Sequence, residues 1–470
     1  MTTLRSFGAA ARLSEDALPE VLLFAVLTLF ALLTPAQNDT FWHLRSGRQM
    51  WETRSVLTSE PFSYTAAGTP LRNHWWLSQL AFFFLYRAGG PVLLTVSAGA
   101  CAFAAIVGSY RLVRGPLEVR LALLAFLAVM TAGEWAVRPQ VVSLALLVLI
   151  AHLIQRDRTR WLPIVCLLWA NAHAMVVFGV VMAGACALEA AVWTRRFLVR
   201  DALVTCACIA APTVSPLGLH YWPQVLATVS TSRELEIQEY LMPLRLDDIP
   251  FWLTLAVLGF LAVRRWSMLR DQPRPDRILL IAAAVLGVAA VGAERNVAFF
   301  AVIVAPVLPR LWGVADRPLG RRRPAGAVGY GLLAMAIAAG TIVVVAKWQN
   351  GGSALGWRPI SSSAIQAVRE CPQPMFNHFE DGGYLMWAIP ERRVFIDSRI
   401  EAYPPELFRL SRAADVSGDY RDLFRQYQIA CALVKTRSAL DVKLRTDGMH
   451  VAYSDPSRTV FLTRHTGRVP

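Results

Sequence analysis

Five separate places in the chain set ionisable or amide side chains at the edge of apolar runs or inside them. They are Asp39 and His43 in "NDTFWHLRSG", Glu134 and Arg138 in "GEWAVRPQ", Asn171 and His173 in "WANAHAM", His220 in "SPLGLHYW", and Glu294, Arg295 and Asn296 in "GAERNVAFF". Such groups are costly near a bilayer and are functional candidates by default. Their types suit one kind of chemistry. A carboxylate within hydrogen-bond reach of a hydroxyl can take its proton, and Arg or His donors stabilise negative charge on a departing group, most strongly where water is excluded. Plainer uses compete. Asp39 suits the cap of a helix starting at Phe41, His43 suits an interfacial side chain, Arg138 can snorkel to headgroups, and Glu294 and Arg295 can neutralise each other. Asn171 and His173 sit at a break between two apolar runs with no long loop, and irregular backbone at that depth is tolerated where it lines a cavity. Function is the favoured reading there, and His220 is the weakest candidate, together with Glu234, Glu236 and Glu239.

The elements that must position these residues are membrane spans. The 470 residues are 55% hydrophobic and only 17% charged, against about 25% charged in a soluble globular protein. Apolar runs near 19–36, 91–110, 117–133, 139–154, 161–175, 176–193, 201–217, 250–263, 278–293, 297–312 and 328–347 each approach the roughly 20 residues a helix needs to cross the hydrocarbon. The expected fold is a polytopic α-helical membrane protein with about 11 crossings. The net charge of +14 lies in loops, which argues against nucleic acid. Arg156, Arg158 and Arg160 share one loop, Arg195, Arg196 and Arg200 a second, Arg264, Arg265, Arg270, Arg274 and Arg277 a third, and Arg317, Arg321, Arg322 and Arg323 a fourth. With the N-terminus cytoplasmic, alternate crossings put all four clusters inside, as the positive-inside rule requires. The same parity puts the first outer loop, 37–75, and the polar tail outside, and brings the five candidate places to one membrane face. The start "MTTLRSFGAAARLSEDALPE" has no small-residue cleavage site after its apolar stretch, so the first span reads as retained.

Two regions face water. In the first outer loop, "TFWHLRSGRQMWE" has apolar residues at helical spacing and reads as a helix lying flat at the interface. The Trp- and Phe-rich "NHWWLSQLAFFFLYRAGG" reads as a membrane-grazing helix, with a full crossing as the alternative, and "TSEPFSYTAAGTPLRN" between them as an extended loop. The second region is the tail, which divides the chain into a transmembrane domain, 1–350, and a small α/β extracytoplasmic domain, 351–470. Strands are expected at "PMFNHF", "RRVFIDSR", "IACALVK", "HVAYSD" and "TVFLTR", and helix at "ELFRLSRAADVSGDYRDLFRQY". Cys371 and Cys431 both fall in the tail, where an oxidising compartment would permit a disulfide, a pairing that sequence alone leaves open. No G-x-G-x-x-G follows a strand and no Walker pattern occurs, so a nucleotide-binding role has no support.

A long first outer loop with an early aspartate, about a dozen spans and an outer C-terminal domain together resemble the GT-C superfamily of membrane glycosyltransferases. "NDTFWHLRSGRQMWETRSVLTSEPFSYTAAGTPLRNHWW" and "FNHFEDGGYLMWAIPERRVFIDSRIEAY" are similar to a bacterial group that resembles the dolichyl-phosphate-mannose protein mannosyltransferases. The resemblance implies inverting transfer of a sugar from a polyprenyl-phosphate-linked donor to a lipid, glycan or protein acceptor on the outer face of the bacterial cytoplasmic membrane. It implies Asp39 as general base or metal holder, and Arg138, His173 and Arg295 as holders of the donor phosphate. His43, Glu134, Asn171, His220 and Glu294 are further site candidates, and Asp381, Asp397 and Arg399 of the tail are candidates to reach an acceptor, with stabilisation of a turn at a strand end the equal alternative for Asp397. No cofactor is required by this reading. Magnesium or manganese is a candidate, but Asn38-Asp39 stands where some members carry an acidic pair and no clear ligand set appears, so metal use stays open. Rival readings are a transporter or lipid flippase, with His173, Arg138 and Arg295 lining a passage, and a non-catalytic subunit of an envelope assembly.

Overall fold

A computed structural model describes residues 17–265, 271–315 and 327–463. Arg270, Arg317, Arg321, Arg322, Arg323 and the first sixteen residues, all used above for topology, lie outside the described residues. Every apolar run read as a crossing contains a helix, but the helices differ in length. Five among the described residues are long and apolar enough to cross a membrane: Trp76–Leu112, Ala174–Val192, Arg195–Val214, Leu246–Arg264 and Ala327–Gln349. Leu18–Ala31 and Pro139–Gln155 are shorter apolar helices. Five of the 11 expected crossings are thus full-length candidates in a multi-pass membrane protein, and the other six runs hold helices that are shorter or more charged. The physical reason is that polar interruptions end several helices early. Leu117–Thr131 stops before the turn that holds Glu134, and Leu162–Ala172 stops at His173.

At the centre lies Val297–Val304, all eight residues of which are buried. It packs by Phe299 on Phe178, with ring centroids 4.7 Å apart, and by Phe300 on Phe251 at 5.7 Å. A run that is apolar all round belongs in a core, so this segment is enclosed by protein and does not face lipid.

The aromatic segment read as a grazing helix is the first half of the 37-residue helix Trp76–Leu112. It continues into the next span through a kink at Gly89 and Gly90, where Gly90 has φ 62° and Pro91 can neither donate a backbone hydrogen bond nor fit a straight helix. Nor does Asn38–Thr53 lie flat on an interface. It is wedged between this long helix and the tail, with Phe41, Trp42 and Leu44 buried. Phe41 meets the Tyr384 ring edge-on at 4.8 Å.

The tail carries a four-stranded sheet in the order β1-β2-β4-β3, built from β1 Met375–Asn377, β2 Cys431–Lys435, β3 His450–Ser454 and β4 Arg458–Leu462. β1 runs parallel to β2, and the other pairs are antiparallel. "RRVFIDSR" is not a strand, because other partners take its backbone groups. Val394 N donates to Phe62 O at 3.0 Å and Val394 O accepts from Tyr64 N at 3.2 Å, while Phe395 N donates to the Asn377 side chain at 2.8 Å. The first outer loop thus docks on the tail. A buried clasp holds it there: Glu60 accepts from Phe62 N and Ser63 N at 2.7 and 2.8 Å and pairs with Arg399 Nη1 at 2.6 Å, while Arg399 also grips Asp397. Asp397 and Arg399 are fully consumed here, and Asp381 is held by Arg458 at 2.6 Å, so these three are structural and do not reach an acceptor. Cys371 and Cys431 are joined as a disulfide.

The basic loops around 157, 200 and 274 converge at one end of the helical body. Glu189, fully buried, pairs with Arg274 Nε at 2.9 Å and Arg277 Nη2 at 2.6 Å. Arg200 pairs with Asp201 at 2.9 Å and Asp157 at 3.1 Å. The candidate chemistry-bearing residues gather at the other end.

Candidate active site

The helix that carries Asp39 starts at Asn38, two residues earlier than a cap role for Asp39 would require. Gln37 is the cap, with its N–H donating to Thr40 Oγ1 at 3.0 Å, and Asp39 occupies the first turn. Thr40 Oγ1 donates to Val137 O at 2.7 Å, which ties this helix start to the turn before Pro139. Residues ahead of a proline are held extended. Arg138 is so held, with φ −136° and ψ 154°, and its side chain crosses to Asp39. Arg138 Nε lies 3.0 Å from Asp39 Oδ2. Asp39 Oδ1 accepts from Trp42 Nε1 at 3.1 Å and from Ser398 Oγ at 2.6 Å, and its side chain keeps 22% exposure. The tail contributes to this contact by close approach. A Cβ on Gly383 would come within 2.5 Å of Asn38 O, so only glycine lets the helix Phe379–Ala388 sit on the start of the Asp39 helix.

From Arg138 a charged chain runs inward. Arg138 Nη2 is 3.5 Å from Glu239 Oε2, and Glu239 Oε1 is 3.4 Å from Arg295 Nη1. With its amide oxygen turned toward both guanidinium groups, Gln140 accepts from Arg138 at 2.7 Å and from Arg295 at 3.2 Å. The Arg295 guanidinium lies over the Tyr240 ring, 4.4 Å from its centroid, a cation–π contact. Its Nε is buried and has no hydrogen-bond partner among the described residues.

Arg295 opens on a cavity of about 260 Å³. Its lining combines the polar side chains of His74, His173, Arg233, Tyr240 and Arg295 with the apolar ones of Phe178, Val225, Val229 and Ala289. His74 Nδ1 is a second buried nitrogen without a partner. Burial pushes the His74 imidazole down to about 3, so it is neutral. Burial also pushes the Glu134 carboxyl up to about 7, against the pull of Arg138 and Arg295. Glu401, in the turn that follows Arg399, is raised to about 7 by burial as well, and Asp39 is among the charges that raise it. Glu401 Oε1 has no partner among the described residues.

The predicted set therefore divides. His173 and Arg295 line the cavity. Asp39 and Arg138 sit above it, and Arg138, engaged by two carboxylates, holds Asp39 and is not on the cavity wall. Glu134 is within electrostatic reach of both arginines. Glu294 does not neutralise Arg295 but pairs with Arg245 at 3.8 Å and accepts from Gln238 at 3.3 Å. Asn171 is a strut, its Oδ1 accepting from Trp76 Nε1 at 2.8 Å. His43 is buried between Trp42, Trp75 and Phe82, and burial keeps it well below the usual imidazole range. His220 is exposed at the end of a short turn and takes no part in the cluster. His74, Tyr240 and Glu401 were not singled out by sequence: Tyr240 and Glu401 lie in polar loops where such residues carry no cost, and His74 heads an aromatic segment in which a histidine reads as an ordinary interfacial side chain.

A divalent ion does not fit these residues. Among the described residues no three His, Cys, Asp or Glu side chains converge to hold one, and Asp39 already faces Arg138, Trp42 and Ser398. No step is routed through a metal.

No protein-family model matches this sequence, and no curated protein matches it. Solved structures do. The crystal structure of the Archaeoglobus fulgidus oligosaccharyltransferase in the apo form matches with a TM-score of 0.51 at 13% identity, over 90% of this chain and 70% of that one. The archaeal oligosaccharyltransferase AglB from Archaeoglobus fulgidus, in complex with an inhibitory peptide and a dolichol-phosphate, gives 0.51 at 14% identity over 88% and 69%. ArnT from Cupriavidus metallidurans, bound to undecaprenyl phosphate, gives 0.47 at 13% identity over 97% and 98%. The chain shares the fold of the Archaeoglobus fulgidus oligosaccharyltransferase.

Proposed function

We propose that this protein is a polyprenyl-phosphate-dependent glycosyltransferase. One observation carries the reading: a largely apolar cavity is lined by Arg295, whose buried Nε lacks a partner among the described residues, and by His173. Buried polar groups are almost always satisfied, and an anion on a hydrocarbon tail would satisfy Arg295 while filling the apolar wall. The dolichol-phosphate in the fold relative is a ligand of that kind.

The carrier's first isoprene units lie along Val225 and Val229, and its phosphate oxygens meet Arg295 and His173. The acceptor hydroxyl arrives from the side of the tail, where Ser398 and Asp39 meet. Its oxygen bonds to the anomeric carbon with inversion as the bond from that carbon to the phosphate oxygen breaks. Its proton passes to Asp39, and the charge left on the polyprenyl phosphate is stabilised by Arg295 in a site shielded from water. Residues 1–350 then span the bacterial cytoplasmic membrane with the N-terminus inside, and 351–470 fold outside, where the acceptor is a lipid, a glycan or a protein.

The test is release of undecaprenyl phosphate from a panel of undecaprenyl-phosphate sugars, mannose included, by the purified protein in liposomes. Asp39→Asn is expected to slow release by about 10²–10⁴-fold. Unchanged release in that variant overturns the role of Asp39. Solute uptake into the same liposomes without release would favour the transporter reading.

A further inference from the structure

His173 is held from behind by two residues that the reading above does not use. Ser143 Oγ lies 2.9 Å from His173 Nδ1, and Trp169 Nε1 donates to the same Ser143 Oγ at 2.8 Å. All three residues are buried, Ser143 and Trp169 completely. Indole nitrogen is a donor only, so one lone pair of Ser143 is taken by Trp169. The serine hydrogen has one acceptor among the described residues, His173 Nδ1. If Nδ1 carried the ring proton, Ser143 would accept twice and its own hydrogen would be buried without an acceptor, at a cost the arrangement shown avoids. The direction of the relay is thus set at its far end: Trp169 donates to Ser143, and Ser143 donates to His173. The ring proton is left on Nε2, and the tautomer follows from the bond that the other nitrogen makes.

The local fold keeps the three in line. Trp169 and His173 are four residues apart, and His173 N donates to Trp169 O at 2.7 Å. The backbone then turns extended at His173, with φ −166°, which ends the helix and leaves the ring on the cavity wall. Ser143 comes from the neighbouring helix Pro139–Gln155, whose start presents Arg138.

We propose that Ser143 and Trp169 are positioning residues that fix neutral His173 as an Nε2–H donor toward the oxygens of a lipid phosphate monoester in the cavity. In the opposite tautomer a lone pair would face those oxygens and repel them. The proposal rests on the cavity being the phosphate site, and the test separates the two.

Full-length protein with ¹⁵N-labelled histidine, in detergent micelles, reports the protonation of each ring nitrogen. The wild type is expected to show His173 with a bare, hydrogen-bonded Nδ1 and a protonated Nε2. In Ser143→Ala the Nδ1 resonance moves to the value of a nitrogen without a donor, or averages with the protonated form. Trp169→Phe, which frees the serine to accept, is expected to shift part of the population to Nδ1–H. Equilibrium binding of undecaprenyl phosphate, with undecaprenol as the uncharged control, is measured on the same samples. Ser143→Ala is expected to weaken the phosphate by about three- to tenfold and to leave undecaprenol unchanged. Thermal unfolding of each variant reports folding separately. A wild-type His173 protonated on Nδ1, or a Ser143→Ala protein with unchanged resonance and affinity, overturns the relay. The expected tautomer in a protein whose undecaprenyl phosphate affinity ignores His173→Ala overturns the phosphate role and leaves the relay geometry standing.

Discussion

The two ends of the helical body handle buried charge in opposite ways. At the basic-loop end, Glu189 accepts from Arg274, Arg277 and Thr194, Asp276 takes Arg310 and Gln155, and Phe197 is covered by Arg196, Arg200 and Arg274 at 4.4–4.5 Å. Each carboxylate there has its partners within the chain. At the other end, Arg295 Nε, His74 Nδ1, Tyr221 OH and Glu401 Oε1 are buried without partners among the described residues, and the first two residues line an apolar cavity. Breaking a buried pair is costly because it strands a charge. A closed network is therefore a structural device, whereas an open one invites a ligand. The same residue types, arginine and glutamate, mean different things at the two ends.

That contrast predicts different failures. Glu189→Gln at the closed end should destabilise the protein by about 3–5 kcal/mol, seen as a large drop in unfolding temperature, with undecaprenyl phosphate affinity unchanged in the fraction that folds. Arg295→Ala at the open end should do the reverse. Loss of a charge-assisted hydrogen bond lowers affinity for undecaprenyl phosphate by about 10- to 100-fold, while the unfolding temperature falls less than in Glu189→Gln because Glu239 keeps Arg138 as a partner. If Arg295→Ala instead unfolds the protein and leaves binding intact, the two ends are alike and the contrast is lost.

A pH effect sharpens the comparison. Glu134 is neutral below about 7 and ionised above it. Because its folded value lies above its ordinary 4.5, its contribution to stability is full below the ordinary value and fades as pH rises through about 7. Ionised, it offsets Arg138 and Arg295, so undecaprenyl phosphate binding should weaken severalfold as pH climbs through about 7. Glu134→Gln should remove that part of the pH dependence and leave whatever belongs to the lipid's own phosphate. The smallest effect is expected at His220→Ala. This residue is exposed and outside the cluster, and both stability and affinity should stay within about twofold of wild type.

Much of this was legible in the residues themselves. Polar groups at 171–173 and 294–296 interrupt apolar runs, and the structure ends helices there and turns His173 and Arg295 onto one cavity. The four strands at 375–377, 431–435, 450–454 and 458–462 fall inside segments whose β-branched and aromatic content announces them. "RRVFIDSR" has the same content and forms no strand, because its hydrogen bonds go to a loop more than 300 positions away, a contact no local pattern encodes. His74, Tyr240 and Glu401 were hidden for a different reason. Tyr240 and Glu401 lie in polar stretches and His74 at the head of an aromatic one, and only burial by distant elements makes them unusual. Arg138 was assigned to the phosphate on charge alone, whereas Asp39 and Glu239, from two other loops, claim it first.

The central claim is that the open end of the body, and not the closed one, holds a lipid phosphate. A photoreactive undecaprenyl phosphate with its label beside the headgroup, cross-linked to the protein in liposomes and mapped by peptide mass spectrometry, tests it directly. Labelling concentrated on 173–178 and 225–229, and abolished by excess unlabelled undecaprenyl phosphate, is the predicted result. Labelling at 193–197, or spread evenly along the lipid-facing helices, would contradict it.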